Sequence, residues 1–330
     1  MESGGARVTI HTSTHQRREQ AVGHPDDVRE AYERILADAQ VGHRYLETRS
    51  GRRVHLVEAG EGRPVVLLHG GGTSSLSHLP LLAHLEGVRA INPDRPGFGL
   101  SDPVRVPRER YRDAAVEFVD EVLDGLELES CALAGASGGG LWALWYALAR
   151  PERVRCVALL TAIPLLPGTR VPVPVRVMVA PLIGDLLARV KPSPKMVVRF
   201  MSAMGEKDTI VRHPEVIESL VAAGRDPIAA AAALAEHRAV ASLFGFRASL
   251  CVRPEELRSR IAPTLVIWWD HDPVGTAEAA QQTASLIPNV QIEVLPAGHV
   301  PWLGHPERVA VLLSRFVRSD GERVDLRDSR

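Results

Sequence analysis

Along the chain, hydrophobic positions change their rhythm three times. Asp26 to Ala39 carries apolar residues at helical spacing. Two short alternating runs follow at His43 to Thr48 and Arg52 to Glu58, and the Ser50-Gly51 pair between them predicts an antiparallel hairpin. From Pro64 to His69 the pattern becomes a continuous apolar run, the signature of a strand buried on both faces of a parallel sheet. Val88 to Asn92, Cys131 to Ala136 and Val154 to Thr161 repeat it, separated by helical patterns at Leu76 to Leu85, Arg110 to Leu126 and Leu141 to Arg150. Strands alternating with helices imply right-handed crossovers and a mostly parallel sheet with helices on both faces.

The alternation stops at Thr161. Seven prolines then fall at 164, 167, 172, 174, 181, 192 and 194, followed by Ala-rich helical sequence from Ala229 to Phe244. The rhythm resumes with a strand at Thr264 to Trp269, a helix at Thr276 to Ile287, a strand at Val290 to Leu295 and a helix at Pro306 to Arg318. The expected organisation is therefore an α/β core at 26–163 and 255–318, interrupted by a helical insertion at 164–254, with polar, mobile tails at 1–25 and 319–330.

Charge narrows the function classes. Lys and Arg total 39 against 40 Asp and Glu, giving a net charge of −1 and no basic field for nucleic acid. No apolar stretch approaches the length of a membrane span, the start lacks a signal-peptide pattern, and Cys131, Cys156 and Cys251 form no CxxC pair. A cytoplasmic protein acting on a small molecule, without membrane span, metal or organic cofactor, is expected.

The chemistry-bearing motif closes the run beginning at Cys131. Gly135-Ala136-Ser137-Gly138-Gly139 is G-x-S-x-G at a strand-to-helix turn, where small neighbours allow the strained backbone that holds a serine hydroxyl out of the sheet. The Gly138 amide, at the helix N-terminus, suits a developing oxyanion. A dinucleotide fingerprint, Gly138-x-Gly140-x-x-Ala143, competes on paper, but it requires an acid at the end of the next strand, and Val157 to Thr161 has none. His69-Gly70-Gly71-Gly72 follows the first parallel strand and offers the second oxyanion amide, Gly71, with Gly72 as the alternative and His69 as a structural residue. Hydroxyl attack needs a base and a carboxylate to orient it. Asp272, deeper in its loop and fixed by Pro273, is favoured over Asp270; His299, in the loop after the last strand, is favoured over His305, which is expected to cap the last helix.

From about Arg52 to Arg318 the chain resembles the capped α/β-hydrolases: esterases, lactonases, C–C bond hydrolases and their dehalogenase and epoxide-hydrolase relatives. Besides the elbow and the His-Gly loop, Asp94-Arg95-Pro96-Gly97-Phe98-Gly99-Leu100-Ser101-Asp102 looks like the family's structural D-x-x-G-x-G-x-S turn. Dehalogenases and epoxide hydrolases carry aspartate at the elbow, so Ser137 implies acyl transfer, with Ser137, Asp272 and His299 as the triad and Gly71 and Gly138 as the oxyanion hole. Trp269, where glycine is frequent, and Gly304, where an acid is common, depart from the pattern. The insertion corresponds to the family's cap, and its Phe200, Met201, Met204, Phe244 and Phe246 are expected to face an apolar cleft. Hydrolysis of a carbon–carbon bond in a diketone-like metabolite, or a non-catalytic receptor on the same fold, are the alternatives.

Overall fold

The computed structural model describes residues 24–259 and 261–322. Its strands are β1 Gly42–Glu47, β2 Arg53–Ala59, β3 Arg63–Leu68, β4 Val88–Pro93, β5 Cys131–Gly135, β6 Val154–Leu159, β7 Ala241–Ser242, β8 Gly245–Phe246, β9 Thr264–Trp269 and β10 Val290–Leu295. Helices flanking them are α1 Asp26–Ala39, α2 Leu79–Leu82, α3 Tyr111–Gly125, α4 Gly138–Ala149, α5 Val173–Val179, α6 Ile183–Leu187, α7 Pro194–Ala203, α8 Pro214–Arg225, α9 Pro227–Val240, α10 Pro254–Arg258, α11 Ala277–Ala284 and α12 Pro306–Arg318.

Eight strands form one sheet in the order β1-β2-β4-β3-β5-β6-β9-β10, antiparallel at β1/β2 and β2/β4 and parallel elsewhere. The continuous apolar runs explain the layers. In β3, Val66 and Leu68 pack with α3 and α4 on one face, while Val65 and Leu67 pack with α2 and α12 on the other. All four are fully buried, each contributing about 1.5–3 kcal/mol of transfer free energy. The same division puts Val266 and Trp268 of β9 on the first face and Leu265, Ile267 and Trp269 on the second.

Strand order reverses at β3, which has β4 on one side and β5 on the other. A crevice opens at the carboxyl ends of such strands, and here the loop after β3 and the turn after β5 meet there, with Ala136 N donating to Leu68 O at 3.1 Å. Between β6 and β9 the chain leaves the sheet to form α5 to α10 and the β7–β8 hairpin.

The described ends of the two tails are held: His24 pairs with Asp226 and bonds Ser101 O at 3.0 Å, and Asp320 pairs with Arg63. The rest of both tails lies outside the described residues. Among the described residues, no helix is long and apolar enough to cross a membrane.

Candidate active site

Ser137 is the residue between β5 and α4, at φ 49° and ψ −119°. That backbone is strained for a residue with a β-carbon, and only close packing around it can hold the turn. A β-carbon on Gly135 would lie 2.6 Å from the Gly139 carbonyl carbon, and one on Gly139 would lie 2.2 Å from Leu68 O, so the two glycines of G-x-S-x-G are required by contact.

Asp272 and His299, from the loops after β9 and β10, are joined by a 2.8 Å contact between Oδ2 and Nδ1. Both are buried. The carboxylate is saturated with donors: Oδ1 accepts from Val274 N at 2.8 Å, and Oδ2 also accepts from Thr161 Oγ1 at 2.9 Å and Ala162 N at 3.2 Å. With Nδ1 committed to Asp272, Nε2 is the ring nitrogen left to exchange a proton. Burial pulls the His299 pKa down, but the charge and hydrogen bond of Asp272, with the charge of Glu206, outweigh it and leave the ring above the ordinary 6.5. Asp270 instead pairs with His271 at the surface, 2.7 Å apart. His305 precedes α12 without a side-chain cap; its Nε2 donates to Pro296 O at 3.2 Å and its ring stacks on Trp269. Trp269 is fully buried in the core layer, and Gly304 packs beside Thr209. Neither lines the cavity above Ser137.

The glycine loop after β3 is pinned from beneath. Gly70 O accepts from His69 Nδ1 at 2.9 Å, Thr73 Oγ1 at 3.0 Å and an Arg95 guanidinium nitrogen at 2.9 Å. His69 Nε2 accepts from Arg95 N at 2.9 Å, and burial, followed by the Arg95 charge, depresses its pKa to about 4, so the ring is neutral and structural. A β-carbon on Gly138 would lie 3.4 Å from Gly71 N, which puts these two backbone segments side by side.

Two carboxylates from the insertion complete the surroundings. Glu236 of α9 takes a forked pair of hydrogen bonds from Arg95 at 2.7 and 3.0 Å and a third from Tyr111 Oη at 2.9 Å. Glu206, after α7, accepts from Val300 N at 2.7 Å and from Thr209 Oγ1, while His299 N donates to Met204 O at 2.9 Å. The loop that carries His299 is thus tied to the insertion at two consecutive amides.

Above Ser137 is a cavity of about 140 Å³, enough for about five water-sized groups. Ser137, Gly71, Gly138 and His299 line it, together with Phe200, Met201, Met204 and Phe246. Phe244 corrects the sequence expectation: it sits in the two-residue turn of the β7–β8 hairpin, 96% exposed and away from the cavity. The Ala-rich helix ends at Val240, and the hairpin that follows turns Phe246 inward and Phe244 out.

A family profile, that of the alpha/beta hydrolase fold, matches residues 63–306. The chain belongs to the α/β-hydrolase fold family. Among curated relatives, this α/β-hydrolase is 27% identical over 300 residues to haloalkane dehalogenase 2 of Mycobacterium tuberculosis, covering 83% of this chain and 94% of that one. It is 28% identical over 278 residues to 2-hydroxymuconate semialdehyde hydrolase of Pseudomonas putida, covering 81% and 92%. The crystal structure of carboxylesterase CesB (YbfK) from Bacillus subtilis shares the fold with a TM-score of 0.68 at 22% identity, covering 89% of this chain and 98% of that one.

Sequence reasoning missed Thr161, Glu206 and Glu236, and read Arg95 only as part of a structural turn. Thr161 carried a signal, since it lies two residues past the end of β6, at the sheet edge where such loops form sites. Glu206, just past the end of α7, and Glu236, within α9, carried none: each meets its partner far off in the chain, 94 and 141 positions away.

Proposed function

We propose that this α/β-hydrolase is a serine hydrolase that cleaves a carboxylic ester or lactone of a small, apolar substrate through an acyl-enzyme on Ser137. The observation that carries the reading is the donor-saturated Asp272 bonded to His299 Nδ1, with His299 and the strained Ser137 lining one cavity.

In this reading His299 Nε2 takes the Ser137 proton as Oγ bonds to the ester carbonyl carbon. The carbonyl oxygen becomes an oxyanion, stabilised by the Gly71 and Gly138 amides. The bond to the alcohol oxygen then breaks, and His299 returns the proton to that alcohol. Water next loses a proton to His299 as its oxygen bonds to the acyl carbon; Ser137 leaves, recovers the proton and releases the acid. Side chains, the two backbone amides and water supply every step. The 164–254 insertion acts as a cap that admits substrate and excludes water. A reducing, cytoplasmic setting suits the three free cysteines.

Hydrolysis of a carbon–carbon bond is the second reading, favoured by the likeness to the 2-hydroxymuconate semialdehyde hydrolase. Likeness to a haloalkane dehalogenase is less informative about chemistry, because the elbow here holds a serine where that chemistry uses a carboxylate nucleophile. Fluorophosphonate labelling and a panel of p-nitrophenyl esters test the proposal. Labelling at Ser137 with ester turnover is expected; turnover of a 2-hydroxy-6-oxo dienoate far above any ester would move the assignment to the second reading.

A further inference from the structure

The insertion carries a surface that its own fold leaves uncovered. α5 and α6 pack against each other, and α5 also packs on α9, yet their outer faces are apolar. Val173, Val177, Leu182, Ile183, Leu186 and Leu187 are all exposed, Leu182 to 83% and Val173 to 72%. Within each helix these positions recur at three- or four-residue spacing, which places them on one side. Single exposed aliphatic side chains are ordinary; a concentration within fifteen residues marks a contact surface.

Charge indicates what makes the contact. Between Pro164 and Met204 stand Arg170, Arg176, Arg189, Lys191, Lys195 and Arg199 against Asp185 alone, although acids and bases nearly balance over the whole chain. Asp185 is neutralised by Arg238 at 2.8 Å. All three lysines of the protein fall between 191 and 207. A second copy seated symmetrically on this face would set one basic surface against another, so the pattern disfavours self-association. An exposed apolar face in a stretch of chain this rich in cations suits an anionic lipid surface, where each cation adds attraction and the aliphatic side chains enter the acyl boundary. The location fits delivery of substrate: Val175 of α5 and Phe200 of α7 both line the cavity above Ser137.

We propose that the outer face of α5 and α6, with the arginines and lysines of the same stretch of chain, docks this protein on anionic membranes, so that the cavity is loaded with apolar esters from the lipid phase. The second half rests on the serine-hydrolase reading; the docking does not.

The test is flotation of the full chain with vesicles of phosphatidylcholine containing 30% phosphatidylglycerol, against pure phosphatidylcholine. Binding at least tenfold tighter to the anionic vesicles is expected, weakening as salt is raised. The triple variant Arg189→Gln, Lys191→Gln, Lys195→Gln should lose about a hundredfold in affinity, and the pair Leu182→Ser, Leu186→Ser at least tenfold. Both variants should turn over soluble p-nitrophenyl acetate at the parent rate, while hydrolysing a long-chain p-nitrophenyl ester embedded in anionic vesicles more slowly. No vesicle binding, equal binding to both compositions, or a dimer that Leu182→Ser, Leu186→Ser dissolves would overturn the proposal. Vesicle binding without any ester turnover would leave the docking surface standing and remove the hydrolase reading instead.

Discussion

Arg95 and Glu236 form a bidentate ion pair across the boundary between core and insertion, and the same Arg95 guanidinium also donates to Gly70 O at 2.9 Å. Gly70 O and the Gly71 N–H belong to one planar peptide, so fixing the oxygen fixes the direction in which the amide donates. Donation to the oxygen also polarises the amide. Without Arg95, moreover, the Glu236 carboxylate would be an uncompensated negative charge beside the amides proposed to hold the oxyanion: a β-carbon on Gly138 would lie only 2.9 Å from Glu236 Oε1.

From this follows an order of effects. Glu236→Gln, which keeps shape but loosens Arg95, should lower kcat for p-nitrophenyl acetate about tenfold, and Arg95→Gln by about a hundredfold, approaching loss of one oxyanion donor. KM should change little, and the double variant should be more active than Arg95→Gln alone. Kinetics normalised to titrated active sites check this; parent kcat in both single variants would reduce the pair to a structural tie.

Proton affinity gives a second test. In the proposed cycle His299 must be neutral to accept the Ser137 proton, and its pKa is raised, so kcat/KM should climb with pH through a midpoint above 6.5. Asp272→Asn removes the main raising influence: the midpoint should move down, while kcat falls by about four orders of magnitude because the ring loses its tautomer and orientation. Glu206→Gln should produce a smaller downward move with kcat largely kept, since a Gln carbonyl still accepts from Val300 N. Burial raises the pKa of Glu206 itself, so an unmoved midpoint in that variant would mean that Glu206 is protonated at the working pH.

Backbone strain at Ser137 separates two inactive variants. Ser137→Ala removes the hydroxyl and should abolish fluorophosphonate labelling, yet it keeps a β-carbon at φ 49°. Ser137→Gly is equally inactive but relaxed at that angle, so it should resist urea by about 1 kcal/mol more than the alanine variant. Equal unfolding midpoints for the two would show that the turn stores no strain.

How far these residues could be read from sequence depended on whether their constraints were local. β3, β5, β6 and β9 announced themselves because a strand buried on both faces needs apolar residues at every position. The elbow was legible because two glycine contacts within five residues make it. Asp272 and His299 were legible through chain order and strand ends. Glu236 was not, because its partner is set by how α9 settles on the core, and no pattern around Glu236 encodes that. Phe244 and Phe246 show the same limit at short range: the stretch read as helix ended at Phe244, and the two residues are parted by a hairpin only two residues long at its turn.

That hairpin provides the internal control for the cavity. Phe200, Met201, Met204 and Phe246 line it, and in the proposed reaction an apolar wall of this kind would set which acyl groups fit, because the proposed triad would contact only the ester. The four do not have equal structural roles. Met201 and Met204 are buried in the two core layers, so alanine there should lower stability by about 2–5 kcal/mol as well as widen the cavity. Phe200 is 40% exposed and Phe246 half-buried, so their truncation should alter selectivity at smaller structural cost. Phe200→Ala and Phe246→Ala are therefore expected to shift preference between acetate and octanoate p-nitrophenyl esters by about tenfold, at roughly 1–3 kcal/mol of altered contact. Phe244→Ala should leave selectivity at the parent value and stability within about 0.5 kcal/mol. Selectivity that moved in the Phe244 variant, or stayed fixed in the Phe200 and Phe246 variants, would place the acyl group somewhere other than this cavity.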